Sequence, residues 1–349
     1  MKRLSSVKQS TNKPNKTTSR TLTHINKKKR KKIILYISLV VISIAVICGL
    51  AFKNQIALYL FKALYSKEIG KAFEEAYVPI DNVEPAIAIK DKEPFSLLLL
   101  GVDQREQETG RSDALIYAVV RPKDSKLLLI SIPRDTRVDI VGRKYKDKVN
   151  AAFAYGGAKM SIETIEQFLG NPAHYYATIN FNGLKDVVDT IGGVKLPITK
   201  DIVNKGRDHE KFTIEANKPE YFGTDALNYV RYREDSDFKR TERQRIFIGA
   251  MIKEMMNMGN LSKIDDLIQI GGENFKTNMK AEDIMNWAEA LVKSTPEISS
   301  YMVDGYDERI NGTYYYMPRD SSLETLQLAI KAWLDPNVEV NDLEYLTAS

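Results

Sequence analysis

Three short segments of this 349-residue chain concentrate carboxylate and guanidinium groups. The first runs Gly101-Val102-Asp103-Gln104-Arg105 and then Arg111-Ser112-Asp113. The second is Ser131-Ile132-Pro133-Arg134-Asp135-Thr136. The third is Tyr229-Val230-Arg231-Tyr232-Arg233, followed by Asp237-Phe238-Lys239-Arg240-Thr241-Glu242-Arg243-Gln244. Asp103 and Asp113 can hold a hard divalent cation, Mg²⁺ or Mn²⁺, which keeps waters and binds substrate phosphate. Arginines from three segments can clamp phosphate oxygens with two parallel hydrogen bonds each. Metal and arginine share the work of neutralising phosphates, so the set points to a pyrophosphate site.

Each residue also has a plainer use. Asp103 and Asp113 alone read as solvated loop acids; Arg105 and Arg111 beside them favour the metal. Asp103 follows an apolar run and a glycine, at a strand end where ligands collect in α/β sheets. Asp113 begins the next strand. Pro133 breaks a strand and turns Arg134 out of the sheet; the rival is an ion pair with Asp135. Arg231 and Arg233 are two apart and diverge on a regular helix. They converge only if the helix ends there, which the run Glu234-Asp235-Ser236-Asp237 favours. Arg240 and Arg243 share a face at the start of a long helix, where the helix dipole suits phosphate. Gln244 follows them. Lys148, before Val149-Asn150-Ala151-Ala152-Phe153, is the weakest candidate, since a loop lysine usually faces solvent.

Other chemistries are excluded. The histidines are His24, His174 and His209, too scattered for a zinc site, and the sole cysteine is Cys48. The chain has no Gly-x-Ser-x-Gly elbow and no Walker loop.

The elements that must position these residues interleave strand and helix. Phe95 to Leu100 is a continuous apolar run, as in a buried strand. Runs at 114–120 and 126–132, split by Pro122-Lys123-Asp124-Ser125, predict a hairpin. Residues 148–168 read as helix broken by Gly156-Gly157, 175–181 as strand, and 182–190 as a short helix ended by Gly192-Gly193. Asp225 to Arg233 starts as a helix. Thr241 to Met256 is amphipathic, with Ile248, Met251, Ile252 and Met255 in one stripe. Helical patterns recur at 261–270 and 281–294, a strand at 298–303, and a last helix at 322–334. The pattern predicts an α/β fold, a mixed central sheet flanked by helices.

Ahead of that domain, residues 33–52 carry no charge and no proline. Twenty apolar residues in a helix span roughly 30 Å, the thickness of a hydrocarbon core. The tail 1–32 holds twelve Lys or Arg and no Asp or Glu, ending in Lys27-Lys28-Lys29-Arg30-Lys31-Lys32. The positive-inside rule keeps such a tail cytoplasmic and places the rest outside. A cleaved signal peptide would have a shorter apolar core and a small-residue cleavage site. The expected organisation is therefore a basic tail 1–32, an anchor 33–52, a helical stalk and linker 53–94, and one extracellular domain 95–349. The whole chain is +5, but without the tail it is −7, so its basic balance is no argument for nucleic acid. Cys48 lies in the apolar run, which leaves the exterior without disulfides; a domain of this size buries enough core without them. That suits the outer face of a bacterial cell membrane.

Taken in order, the motifs resemble the LytR-CpsA-Psr family. Gly-Val-Asp-x-Arg, Arg-Ser-Asp, Ser-Ile-Pro-Arg-Asp-Thr, Lys-Val-Asn-Ala-Ala-Phe-Ala-Tyr-Gly-Gly, Ile-Gly-Gly-Val, Ala-Leu-x-Tyr-Val-Arg-x-Arg and Asp-Phe-x-Arg-x-x-Arg-Gln occur in the family's sequence between about Phe95 and Met256. The resemblance implies a transferase that moves a glycopolymer, such as teichoic acid or capsule, from an undecaprenyl-pyrophosphate carrier to peptidoglycan. The product would be a phosphodiester on the C6 hydroxyl of N-acetylmuramic acid. It implies Asp103 and Asp113 on Mg²⁺, with Asp103, Arg111 and Arg134 at the reacting centre. Arg111, Arg134, Lys148, Arg231, Arg233, Arg240, Arg243 and Gln244 would contact the pyrophosphate. Phe247, Met251 and Met255 are candidates for a polyprenyl groove, with an ordinary core as the competing use. Two other functions stay open: a pyrophosphatase with water as acceptor, and a non-catalytic lipid-binding regulator.

Overall fold

The computed structural model describes residues 74–80, 93–103, 110–206, 210–255, 266–267, 270, 274–284, 286–287 and 296–343. The basic tail, the apolar run 33–52, Arg105 and most of the patterns at 261–270 and 281–294 lie outside the described residues. Among the described residues no helix is long and apolar enough to cross a membrane.

The centre of the fold is a six-stranded mixed sheet. Its strands are β1 (Phe95–Asp103), β2 (Arg111–Arg121), β3 (Lys126–Ser131), β6 (Tyr175–Asn180), β9 (Phe275–Thr277) and β10 (Glu297–Met302), in the order β10-β3-β2-β1-β6-β9. β1 runs antiparallel to β2 and parallel to β6; β2 and β3 form the expected hairpin, and β10 lies parallel to β3. Three two-stranded ribbons stand apart from it. They are β4 (Arg137–Asp139) with β5 (Lys146–Lys148), β7 (Ile202–Asn204) with β8 (Phe212–Ile214), and β11 (Gly305–Ile310) with β12 (Thr313–Pro318).

Alternation along the strands sends side chains to opposite faces, and both faces are buried. Leu98, Leu100, Leu115, Tyr117, Val119, Leu128 and Ile130 enter one core. There they meet Ile162 and Ile165 of α1 (Ala151–Leu169) and Ile330 and Trp333 of α5 (Asp320–Leu334). Phe95, Leu97, Ile116, Ala118, Val120, Leu127 and Leu129 enter the other, against Ile248 and Ile252 of α4 (Asp237–Met255). A third core joins α2 (Phe181–Ile191), α3 (Gly223–Arg231) and Phe247 of α4. Helix α4 is thus wedged between two cores, which explains its apolar stripe. Phe247 is buried and Met251 packs on that third core, while Met255 is exposed.

Local signals set the helix ends. Helix α1 carries a kink at Gly156 and Gly157, the latter at φ +63°, a conformation other residues rarely adopt. Asn180 caps α2 by accepting from the Gly183 N–H at 2.8 Å, and Gly192 ends it at φ +94°. At the far edge, Val78 N–H donates to the Thr277 carbonyl at 2.8 Å, and Tyr77 bridges the same residue. Part of the expected stalk and linker therefore packs on β9. Arg121, at the end of β2, donates to the carbonyls of Trp333, Asp335 and Val338, each at 2.9 Å, and so ties down the end of α5.

Candidate active site

Topology brings the motifs to one edge of the sheet. β1, β3, β6 and β10 all end there, and β2 begins there. Asp103 closes β1 opposite Arg111. Gly101 pairs with Ala114 but Val102 with Ser112, so Asp113 is the extra residue of a β-bulge. A bulge breaks the alternation and re-aims a side chain. The chain leaves β3 through Pro133 into Arg134, and leaves β6 directly into α2 at Phe181.

At that edge Asp113, Arg134, Arg231, Arg240 and Gln244 line a narrow cleft of about 40 Å³, with apolar walls from Ile179, Phe181, Leu184 and Val230. Arg134 Nη1 meets Asp113 Oδ1 at 2.5 Å, and its Nε lies 3.5 Å from Asp135 Oδ2. Both readings of Arg134 thus hold together: it faces the cleft and it pairs with Asp135. Arg231 sits on the last turn of α3, and the next residue, Tyr232, leaves helical geometry at ψ 133°. Helix termination frees the Arg231 guanidinium to lie over the Phe181 ring, 4.7 Å from its centroid. Arg240, in the first turns of α4, is buried. Gln244 Nε2 reaches the Asp113 and Val230 carbonyls at the long distances of 3.5 and 3.4 Å.

Arg243 is turned elsewhere, although it belongs to the same motif. Its Nε donates to the Tyr229 carbonyl at 3.0 Å, and its Nη atoms meet the two Asp235 oxygens at 2.7 and 3.0 Å. It also donates to the Tyr232 carbonyl. This guanidinium ties α4 to the end of α3, just behind Arg231. Burial pushes the Asp235 carboxyl up, but the Arg243 bonds and the Ser236 N–H outweigh it and hold it below its ordinary value. Lys148 Nζ pairs with Asp135 Oδ1 at 2.7 Å, against the loop that carries Arg134. Arg111 is exposed and Arg233 partly so; neither lines the cleft.

Asp135, Asp235 and Phe181 are site residues that the sequence motifs do not single out. Asp135 and Asp235 each stand beside a motif arginine, which was the available signal. Phe181 had none, because its role depends on where α3 ends.

The donor set suits a hard cation. Asp103 and Asp113 come from neighbouring strands: Asp103 pairs with Arg111, two residues before Asp113, and of the two only Asp113 lines the cleft. Arg134 donates to one Asp113 oxygen, Oδ1; a metal would take the other. Among the described residues no group of three or more His, Cys, Asp or Glu gathers for a metal. A Mg²⁺ ion here would complete its shell from water and substrate, as it commonly does.

Fold and cleft together define an α/β protein with guanidinium groups and a carboxylate converging at its strand ends. The LytR_cpsA_psr family model matches residues 60–332, and the chain belongs to that family. It is 33% identical over 312 residues to the polyisoprenyl-teichoic acid–peptidoglycan teichoic acid transferase TagU of Bacillus licheniformis, across 88% of this chain and 98% of that one. Among solved structures it is similar to Bacillus subtilis TagV, with 33% identity and a TM-score of 0.61, covering 70% of this chain and 98% of that one. It is also similar to TagT bound to LI-WTA, with 28% identity and a TM-score of 0.57, covering 72% and 99%.

Proposed function

We propose that this protein transfers a glycopolymer from a polyprenyl-pyrophosphate carrier to peptidoglycan, forming a phosphodiester link. The observation that carries the reading is the convergence of Arg134, Arg231 and Arg240 with Asp113 in one apolar-walled cleft. Its guanidinium groups suit phosphate oxygens and its apolar walls suit the start of an isoprenoid chain; at about 40 Å³ the cleft must widen to admit them. The names of the relatives agree with it.

In this reading the acceptor hydroxyl oxygen bonds to the phosphorus that bears the glycan. The bond from that phosphorus to the bridging oxygen breaks, and polyprenyl monophosphate leaves with the electron pair. Asp103 orients the hydroxyl and takes its proton. Arg134, Arg231 and Arg240 hold the phosphates in line and offset their growing charge. Gln244, on the same wall, contacts the phosphates more weakly, and Arg111, Arg233 and Lys148, which stand outside the cleft lining, act on them only from its surroundings. Arg243 acts by fixing the α3–α4 corner. Asp103 and Asp113 would hold Mg²⁺, which supplies charge neutralisation on the phosphate oxygens when bound. The chain would be anchored by residues 33–52, with the tail in the cytoplasm and the domain outside.

The deciding experiment incubates the full-length protein, in detergent, with a defined lipid-linked glycan, Mg²⁺ and peptidoglycan. A covalent glycan–peptidoglycan product and free polyprenyl monophosphate are expected. Equal release without peptidoglycan would make it a pyrophosphatase, and binding without turnover a regulator. Protease added to intact protoplasts should remove the domain and spare the tail; the reverse pattern would reject the orientation.

A further inference from the structure

Beyond Arg134 and Arg240, which line both spaces, lies a second and wider groove of about 420 Å³. Its remaining walls are of different chemistry. Tyr314 and Tyr316 of β12 and Asp307 of β11 form one side, and the loop Pro133 to Asp135 another. Phe238, at the start of α4 and 58% exposed, adds a third aromatic ring. Apart from the two shared arginines, the charged lining residues are Asp135 and Asp307, both acidic.

The hairpin is fixed to the arginine loop rather than hung beside it. Tyr316 N–H donates to the Asp135 carbonyl at 2.9 Å, and Thr136 and Tyr316 form a bridge. The Tyr316 hydroxyl donates to the Val303 carbonyl at 3.0 Å, and burial pushes its pKa up to about 12, so the ring stays neutral. Tyr314 donates to Asp307 Oδ1 at 2.7 Å, and Lys148 Nζ stands 5.7 Å from the Tyr314 ring centroid. At the hairpin base Arg319 grips Asp304 at 2.9 Å. Any ligand held by Tyr314 and Tyr316 is therefore held at a set position relative to Arg134.

We propose that this groove is the acceptor subsite and takes an uncharged strand of N-acetylated amino sugars, packed on Tyr314 and Tyr316. The proposal rests on the transferase reading above. Pyranose C–H bonds carry partial positive charge and pack on the negative face of an aromatic ring. Asp135 is offset by Lys148 and Arg134, whereas Asp307, bonded to the neutral Tyr314 hydroxyl, keeps its charge, accepts from sugar hydroxyls and repels phosphate. An anionic polyol-phosphate chain is thus disfavoured beyond the arginines, and a neutral glycan is not. A sugar seated here lies next to Arg134 and Arg240, which also line the cleft.

The test uses full-length protein in detergent and an oligomer of β-1,4-linked N-acetylglucosamine as probe. Wild type should bind the oligomer, and Tyr314→Ala should weaken that binding by about tenfold, the scale of one aromatic contact. Tyr314→Phe keeps the ring and should bind nearly as wild type. The KM for glycan acceptor should rise in Tyr314→Ala and Asp307→Asn, with affinity for the lipid pyrophosphate unchanged. A thermal melt confirms that each variant is folded. If Tyr314→Ala weakens donor binding instead, the groove holds the donor's sugar and the proposal is overturned. If a transferring wild type and Tyr314→Ala share one acceptor KM, the groove is not the acceptor subsite, while the function stands. If the oligomer binds through Tyr314 and no transfer occurs, the function fails and the sugar site remains.

Discussion

Arg134 Nη1 and Asp113 Oδ1 lie 2.5 Å apart, an ion pair that joins the loop after β3 to the bulge in β2. Both side chains are mostly shielded, at 17% and 25% exposure. The pair aligns an arginine and a candidate metal ligand on one wall of the cleft, and each holds the other's position.

That pairing makes the metal assignment testable. Asp103→Ala and Asp113→Ala should each lower Mg²⁺-dependent transfer by about 10²–10³-fold, the usual loss for one electrostatic contact in catalysis. Asp113→Asn can still accept from Arg134 but is a poor cation ligand. It should raise the Mg²⁺ concentration needed for half-maximal rate. A folded Asp103→Ala/Asp113→Ala double variant with near-normal activity would sink the assignment.

The arginines should rank by geometry. Arg134, Arg231 and Arg240 line the cleft, whereas Arg309 sits near the hairpin tip and donates to the Gly312 carbonyl at 3.3 Å. Lysine keeps charge but loses the two-pronged donor. Arg→Lys at a cleft position should therefore weaken polyprenyl-pyrophosphate binding, and Arg→Ala should weaken it further. A charge-assisted bond contributes roughly 1.5–3 kcal/mol, about one to two powers of ten in affinity. Binding assays that found Arg309→Ala as harmful as Arg231→Ala would place the site elsewhere.

Arg243 and Asp235 should show a pH signature in stability. The Asp235 carboxyl is held below its ordinary value of 3.8. A depressed carboxyl stabilises the fold above that value and loses the contribution as pH falls through the folded-state pKa. Asp235→Ala should cost about 1.5–3 kcal/mol at pH 6. The gap from wild type should narrow below about pH 3.8. Denaturant melts at pH 6 and pH 3 check this, and a constant gap would show that the ion pair is not the source.

Arg121 is a structural arginine far from any motif. It is 3% exposed and binds three carbonyls at and beyond the end of α5. Arg121→Ala orphans those carbonyls and should destabilise the protein by about 3–5 kcal/mol, the scale for breaking a buried charged cluster. Hydrogen exchange should show α5 loosening first. A variant as stable as wild type would show that α5 is secured by Trp333 and its core neighbours alone.

Much of the fold is legible because its signals are local. Phe95 to Leu100 reads as a buried strand from its unbroken apolar run, and the Gly192-Gly193 pair marks a helix end, which φ +94° at Gly192 bears out. The ribbons β4–β5 and β7–β8 are not legible, since three-residue strands are too short to show a period. β11–β12 is a different case: Asn311-Gly312, both at positive φ, is a readable two-residue hairpin turn. That hairpin supplies Tyr314 and Tyr316, so passing over the turn also passes over the groove.

By itself the sequence determined the chemistry available to this protein: two aspartates and a set of arginines, suited to metal and phosphate. The order of the motifs determined the family. Only the tertiary structure decided which arginine does what. Arg231, Arg240 and Arg243 belong to adjoining segments of one stretch, yet two face the cleft and the third is spent on Asp235 and backbone carbonyls. The choice turns on where α3 stops, which carbonyls that leaves open, and how α4 crosses behind it. Those are contacts between residues distant along the chain, and no local pattern encodes them.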